Sequence, residues 1–212
     1  MGFLVKSSYS DYYEVCPTEG GHSEYSPRND EDMEFLNFAK KFIAESKNVE
    51  NLRAKAEIYR VSVERVGAGP AVPMIYKFLE GKHKDLVNVF DKEGINFDEV
   101  NSKMIIERGM KDKDPLCLKV IEKFTQIFAV EAANFALKTL PFGGMYLIGG
   151  VTEGIREYMI NDPTFQENFF RKGRLEGTMR KIPLLIVNPG IEVGILGAEE
   201  VSYRLALSLK TA

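Results

Sequence analysis

The chain has 212 residues, of which 44% are hydrophobic and 28% are charged, and its formal net charge at pH 7 is −3. A chain of this kind buries a sizeable core, and its scattered lysines and arginines exclude nucleic acid as the main partner. The two cysteines, Cys16 and Cys117, form no Cys-x-x-Cys pair. We therefore expect neither a structural zinc site nor a disulfide framework, and a reducing compartment.

Signals for membranes and export are also missing from the pattern. No run of about 18 apolar residues predicts a membrane span. The first residues, MGFLVKSS, lack the basic and long apolar regions of a signal peptide. We therefore expect a cytoplasmic protein that has no membrane partner.

The first predicted elements are two strands, a loop and a helix. The runs GFLVKSS and YYEVCP predict a hairpin or two adjacent strands. They are followed by CPTEGGHSEYSP at residues 16–27, a glycine-containing loop between two prolines. The run NDEDMEFLNFAKKFIAES begins with an Asn and acids, which favour a helix N-terminus. Its apolar residues recur at helical spacing and should face the core: Phe35, Phe38, Ala39 and Phe42.

The middle of the chain predicts helices. The run RVSVERVGAGPAVPMIYKFLEG predicts a short element, a glycine turn and a helix that starts near Pro70. Residues 82–113 are polar and contain glycines, so we interpret them as short helices and loops on the surface. Asp114 and Pro115 are suited to the N-cap and first turn of a long helix, PLCLKVIEKFTQIFAVEAANFALKTL. Its second half is apolar on nearly every face and should be buried.

The last part of the chain predicts an α/β crossover. GGMYLIGG and KIPLLIVN are short apolar runs typical of buried strands, and helical segments broken at Asp162-Pro163 lie between them. Strand, helices and strand in this order indicate a crossover unit and hence an α/β sheet. NPG is a turn, and EVGILGAEEVSYRLALSLK predicts a final amphipathic helix.

The loop TEGGH is the first candidate site. The Glu19 carboxylate can accept hydrogen bonds from sugar hydroxyls, and His22 can donate one or hold Glu19 in place. Gly20 and Gly21 have no Cβ, so the backbone can approach a ligand closely. The alternative is a tight turn with a solvated Glu and His.

Further candidates are weaker on their own. Glu64 lies just before a glycine turn, where a surface ion pair with Arg65 is the alternative. Gly149 and Gly150 follow a predicted strand, where backbone N–H groups can face an adenosine or a phosphate, although such glycine pairs are common in α/β proteins. NPGIEVGILG is either a phosphate-binding segment or simply a turn and a helix start. No metal-ligand spacing, Gly-x-Ser-x-Gly elbow or Walker A loop is found.

In their order along the chain, these segments resemble the bacterial-type glucokinase family. The resemblance is most specific at TEGGHSEYSP, at SVERVGAGP and from GGMYLIGGV to KGR, and IPLLIVNPG and LGA follow in order. It covers nearly all of residues 2–208 and matches the carboxyl-terminal two-thirds of the family. Residues 82–113 have no clear match and are expected to be a lineage-specific insertion. The missing clustered-cysteine motif favours this family over the related repressor-and-kinase family.

The resemblance implies an α/β fold of the actin-like, ribonuclease-H-like sugar kinase class. Residues 1–191 would form the large domain, a mixed sheet packed with helices. Residues 192–212 would form a final helix that crosses to a small domain missing from this chain. The apolar face of that helix would then be exposed, which favours a homodimer or disorder at the end. That face consists of Ile195, Leu196, Val201 and Leu205.

The resemblance also implies the ligands. Glu19, His22 and Glu64 match residues that bind glucose hydroxyls, and Gly149 and Gly150 fall in the segment near the adenosine of ATP. The whole enzyme would transfer the γ-phosphoryl group of ATP to the 6-hydroxyl of glucose, the first step of glycolysis, with Mg²⁺ bridging the phosphates. No metal ligand is assigned in this chain.

This chain departs from the family pattern before TEGGH. The Asp-x-Gly-Gly-Thr loop, the Asn-Asp pair that supplies the general base and the Gly-Thr-Gly loop are not found there. Asp30 and Asp32 fit a helix start better than the role of the base. We therefore assign no catalytic residue and expect negligible glucose phosphorylation by the 212 residues alone, since each lost contribution is worth about 10²-fold or more.

Three other interpretations stay open. The first is that the chain is not a glucokinase portion but a non-catalytic sugar-binding or regulatory protein derived from a glucokinase. Glu19, His22 and Glu64 do not distinguish glucose from another hexose. The remaining alternative is an α/β domain whose motif matches are accidental, which the ordered series of matches disfavours.

Overall fold

Helices make up most of the molecule in this computed structural model, which describes residues 1–8, 12–46 and 60–210. Its helices are, in chain order, α1 (Asp30–Ser46), α2 (Val63–Gly67), α3 (Ala71–Lys82), α4 (Val89–Lys92), α5 (Ser102–Met110), α6 (Pro115–Thr139), α7 (Gly150–Gly154), α8 (Arg156–Asn161), α9 (Thr164–Phe170), α10 (Glu176–Met179) and α11 (Val193–Lys210). Single 3₁₀ turns lie at Gly20–His22, Phe97–Glu99 and Gly173–Leu175. Among these helices, none has the length and apolarity that a bilayer span requires.

The long helix α6 is the centre of the core, as its sequence predicts. Asp114 caps it, since Oδ1 accepts a hydrogen bond from the backbone N–H of Cys117 at 2.8 Å, and Pro115 occupies the first turn. Helices α2, α3, α5, α9 and α10 all pack against α6. The apolar surface of this chain is therefore buried mainly between helices.

The strands form two separate pairs. Strand β1 (Gly2–Lys6) is antiparallel to β2 (Tyr13–Pro17), which confirms the predicted hairpin. Strand β3 (Met145–Leu147) is parallel to β4 (Leu184–Ile186), which confirms the crossover. The prediction of one mixed sheet is wrong for the described residues, where each sheet has two strands. The strands have only three to five residues, and the helices provide most of the core.

Strands β3 and β4 are only half buried, in contrast to the prediction of buried strands. Met145 and Leu147 are buried, but Tyr146 between them is 63% exposed, and Leu185 of β4 is also exposed. Successive side chains of a strand point to opposite faces. One face of the pair therefore packs against the core, and the other is open to solvent.

Residues 82–113 contribute to the core, so their assignment to the surface is wrong. Phe90 and Ile105 are fully buried within this segment. A Cβ on Gly109 of α5 would lie 2.6 Å from Cδ1 of Ile121 in α6. The glycine that suggested a loop instead allows two helices to approach closely.

Helix α1 is joined to α6 by a buried ion pair. Asp32 is fully buried, and its carboxylate accepts hydrogen bonds from Lys123 Nζ at 2.6 Å and from Arg28 Nε at 2.8 Å. Burial opposes ionisation of Asp32, but the hydrogen bonds from Lys123 and Arg28 outweigh it and lower the pKa of its carboxyl. The predicted stripe of α1 packs as expected, with Phe35 and Ala39 fully buried.

The last helix, α11, exposes the apolar face that its sequence predicts. Arg204 joins this helix to the hairpin, because its Nη1 donates a hydrogen bond to the carbonyl oxygen of Tyr13 at 2.9 Å. Its guanidinium group also lies 4.7 Å from the centre of the Tyr12 ring. The exposed apolar residues are Ile195, Leu196, Val201 and Leu205.

Candidate functional site

The EGGH loop follows β2 and is fixed at its start by hydrogen bonds. The backbone N–H of Thr18 donates to the carbonyl oxygen of Met1 at 3.2 Å. The hydroxyl oxygen of Thr18 accepts from the N–H of Gly20 at 3.3 Å. The N–H of His22 then donates to the carbonyl oxygen of Glu19 at 2.8 Å and closes the 3₁₀ turn. These hydrogen bonds hold Glu19 and His22 at the two ends of the same turn.

The end of the loop pairs with the segment before α2. The N–H of Val63 donates to the carbonyl oxygen of Ser23 at 2.9 Å, and the N–H of Tyr25 donates to that of Val61 at 2.9 Å. Arg60 Nη1 donates to the carbonyl oxygen of His22 at 2.8 Å. These bonds bring the first turn of α2 against the loop.

Gly21 of the loop lies next to Glu64. A Cβ placed on Gly21 would lie 3.8 Å from Cβ of Glu64, which is an ordinary van der Waals distance. Glu64 is the second residue of α2. The loop and the first turn of α2 are therefore in contact beside His22.

The three predicted sugar-binding residues lie together. His22 Nδ1 is 3.0 Å from Oε2 of Glu19, and His22 Nε2 is 3.6 Å from Oε2 of Glu64. Their side chains are 59–89% exposed. The imidazole therefore lies between two carboxylates at the surface, where a ligand can reach all three groups.

This geometry fixes what each group can do. A carboxylate only accepts hydrogen bonds, so each imidazole nitrogen of His22 can bond to its neighbouring carboxylate only through an N–H. The Glu19 and Glu64 carboxylates present acceptors to the hydroxyl groups of a ligand, and an N–H of His22 can donate to a ligand oxygen. The cluster is suited to a polyhydroxylated molecule.

Gly149 and Gly150 lie at a different place, at the carboxyl end of β3. A cleft of about 280 Å³ opens there, between this end of β3, residue Val187 after β4 and the start of α11. Gly149 has φ of +113°, and a Cβ on Gly149 or Gly150 would meet no atom within 4 Å. Ligands of open α/β sheets bind outside the carboxyl ends of the strands. The two glycines therefore border a cleft where that rule places a ligand.

Two residues that hold the loop were not singled out from the sequence. Thr18 and Arg60 each form a hydrogen bond to the loop backbone. Thr18 belongs to the TEGGH run, where a hydroxyl residue before a turn is a recognisable signal. Arg60 carries no such signal, because its contact depends on the pairing of two distant segments.

Comparison with known proteins decides the family. The glucokinase family model matches residues 1–204. The chain belongs to the glucokinase family. Glucokinase from Nostoc punctiforme is 32% identical over 97% of this chain and 58% of its own length. Glucokinase from Campylobacter jejuni subsp. doylei is 29% identical over 89% of this chain and 49% of its own length.

Solved glucokinase structures share the fold. Glucokinase from an Antarctic psychrotroph superposes with a TM-score of 0.64 at 22% identity, over 87% of this chain and 49% of that one. Glucokinase from Balamuthia mandrillaris, solved in complex with glucose, has a TM-score of 0.65 at 16% identity, over 84% of this chain and 44% of that one. This glucokinase-family chain therefore spans about half the length of the relatives it matches.

Proposed function

We propose that this chain supplies the glucose-binding and adenosine-binding portion of an ATP-dependent glucokinase. The observation that carries the proposal is the position of His22 between the carboxylates of Glu19 and Glu64. Membership of the glucokinase family supports glucose as the sugar. In the whole protein, the reaction would transfer the γ-phosphoryl group of ATP to the 6-hydroxyl of glucose, the first step of glycolysis, in the cytoplasm.

The role of the three residues is to bind and orient the sugar. The carboxylates of Glu19 and Glu64 accept hydrogen bonds from sugar hydroxyls, and an imidazole N–H of His22 donates one to a sugar oxygen. Phosphoryl transfer depends mostly on positioning and on charge stabilisation. A sugar held by several fixed acceptors is presented in a single orientation to the phosphoryl donor.

The cleft at Gly149 and Gly150 is the proposed place of the adenosine of ATP. Both glycines leave open space where a Cβ would lie, so a flat base can approach the backbone. Among the described residues, no group of three His, Cys, Asp or Glu side chains is arranged to hold a metal. Mg²⁺ would bridge the nucleotide phosphates, which is its usual mode in phosphoryl transfer.

The domain organisation is part of the same proposal. Residues 1–191 would form the large domain of an actin-like kinase, with residues 82–113 as its variable insertion. Residues 192–212 would form the helix that reaches a small domain. The exposed apolar face of α11 is of the kind that another protein segment covers. For this chain we propose that a second copy covers it in a homodimer.

Glucose binding by a matched pair of variants tests this function. Glu64→Gln should weaken glucose binding about 10- to 100-fold, because a hydrogen bond to a charged group contributes about 1.5–3 kcal/mol. Glu157→Gln makes the same change on exposed helix α8 and should leave glucose affinity unchanged. Calorimetric titration of the wild type and of the two variants, with glucose and with mannose, measures these affinities. Equal glucose affinity in wild type and Glu64→Gln would overturn the assignment of the site.

An assay of glucose phosphorylation by the 212-residue chain tests a second candidate function, which is sugar binding without catalysis. The chain matches the sugar and nucleotide segments of the family but not its general-base pair. This observation favours sugar binding without turnover. We expect calorimetric titration to detect glucose binding and a coupled assay to detect no glucose 6-phosphate formation. Robust turnover by the purified chain would mean that a general base lies among these 212 residues.

A further inference from the structure

A second cavity borders the EGGH loop. Its volume is about 360 Å³, within the range of about 300–1,000 Å³ that small-molecule sites occupy. Gly20 and Ser23 of the loop line it, whereas Glu19, His22 and Glu64 do not. This cavity is therefore separate from the proposed glucose cluster, although the same loop forms part of both.

The cavity contains a buried carboxylate. Glu131 of α6 is only 7% exposed and lines the cavity. Its Oε2 accepts a long hydrogen bond of 3.4 Å from Asn134 Nδ2, while Asn134 Oδ1 accepts a hydrogen bond from Lys172 Nζ at 2.8 Å. A buried carboxylate has a large capacity to accept hydrogen bonds, and this weak bond uses little of it. Burial accordingly raises the pKa of the Glu131 carboxyl.

The hydroxyl groups of the cavity also present acceptors. Thr18 Oγ1 donates its proton to the carbonyl oxygen of Met1 at 2.9 Å. Ser23 Oγ donates to Gly20, and Thr139 Oγ1 donates to the carbonyl oxygen of its own helix four residues earlier. Each hydroxyl has given its only proton to the backbone and keeps lone pairs. The matching ligand is therefore rich in hydrogen-bond donors.

Charge and apolar surface narrow the class of ligand. Lys138 and Glu131 both line the cavity, so their opposite charges offset each other, which favours a neutral ligand. The rings of Phe3 and Phe135 lie 6.4 Å apart and form an apolar wall. We propose that this cavity is a second ligand site that binds a small neutral polyol, of hexose or cyclitol size, through Glu131 and the three hydroxyl oxygens.

Backbone amide NMR on the 212-residue chain tests the proposal, with myo-inositol, D-glucose and glucose 6-phosphate as probes. We expect myo-inositol to shift the amide signals of Ser23 and Thr139 in a saturable manner. Glu131→Gln should weaken this response at least about tenfold, and Glu122→Gln, an exposed change on the same helix, should not. Glu64→Gln should keep the response at Thr139 while it loses glucose binding at His22, so the two sites are scored separately.

Several results would overturn the site. They are no saturable shift at Thr139 with either neutral polyol, an unchanged response in folded Glu131→Gln, or shifts confined to His22 and Glu64. Tighter binding of glucose 6-phosphate than of both neutral polyols would also contradict a neutral ligand. If Glu131→Gln does not fold, Thr139→Val removes one acceptor and should weaken the myo-inositol response about threefold; an unchanged response there counts against the proposal.

Discussion

Lys123 Nζ lies 2.6 Å from Oδ1 of Asp32, and both side chains are buried. This ion pair joins the central helix α6 to the first turn of α1. Arg28, in the segment that leads out of the EGGH loop, donates to the other oxygen of the same carboxylate. The pair therefore connects the core to the segment that carries the candidate sugar site.

Removal of the Asp32 charge should be destabilising. Asp32→Asn removes one of the two carboxylates that contact the buried Lys123 ammonium, which keeps Glu31 at 2.8 Å, and should cost about 1.5–3 kcal/mol. Asp30→Asn, an exposed change in the same turn, should alter the free energy of unfolding by less than about 0.5 kcal/mol. Urea unfolding at pH 7 measures both. A loss for Asp32→Asn no larger than for Asp30→Asn would contradict the buried pair.

The same carboxyl predicts a pH dependence. Its pKa is lower in the folded protein than its ordinary value of about 3.9. The stabilisation is therefore fully present above that value and is lost as the pH falls through the lower folded pKa. We expect the free energy difference between wild type and Asp32→Asn to shrink below about pH 4. A constant difference between pH 7 and pH 3 would show that this carboxyl does not titrate as proposed.

A side chain at position 150 should block the nucleotide cleft without unfolding the chain. A Cβ at Gly150 meets nothing within 4 Å, so Gly150→Val fits the protein but occupies the space proposed for adenosine. Gly177→Val places the same side chain in equally open space on α10. We expect Gly150→Val alone to weaken ATP binding, at least about tenfold, in equilibrium dialysis. Equal ATP affinity in the two variants would place the nucleotide elsewhere.

The apolar face of α11 should drive self-association. Leu205 is 60% exposed, and its replacement by Glu adds a charge to the surface that we propose is covered in a homodimer. Leu205→Met keeps the surface apolar with nearly the same volume. Sedimentation velocity over a range of concentrations should show dimers for wild type and Leu205→Met, and monomers for Leu205→Glu. Monomers in all three samples would exclude the dimer.

Two glycine-to-alanine changes should act in opposite directions. Ala at position 109 would place its Cβ 2.6 Å from Ile121 and 3.2 Å from the backbone of Cys117, so Gly109→Ala should cost about 1–3 kcal/mol. Gly81 lies in α3 with nothing within 4 Å, so Gly81→Ala should stabilise by up to about 1 kcal/mol. Thermal unfolding measures both. A stabilised Gly109→Ala variant would contradict the close helix contact.

Sequence-based prediction succeeded where the pattern in the sequence was local or periodic. The cap at Asp114, the hairpin and the crossover have local or periodic patterns, and each formed as expected. The burial within residues 82–113 was missed because a glycine in a polar segment has the same local pattern in a loop as at a close helix contact, which is where Gly109 lies. Half-burial of β3 and β4 was also missed, since a short apolar run does not show which face will be covered.

The candidate site shows the same limit. His22 and Glu64 lie far apart in sequence and meet through backbone pairing of Ser23 with Val63, which leaves no periodic signal. Only the resemblance to a family placed them in one site before the structure did. The buried carboxylate Glu131 escaped notice entirely, because one acid in a long apolar helix does not indicate the cavity that it faces.

The contrast between the central helix and the hairpin has a consequence for the dynamics of the chain. Amide protons in the buried middle of α6 should exchange with solvent only on global unfolding, because helices pack on it from several directions. The amides of β1 and β2 belong to a two-stranded ribbon whose side chains are largely solvent-exposed, so they should exchange through local opening. We expect the amides of the EGGH loop to exchange at rates between those of the hairpin and those of α6. Sugar binding should slow amide exchange in this loop first.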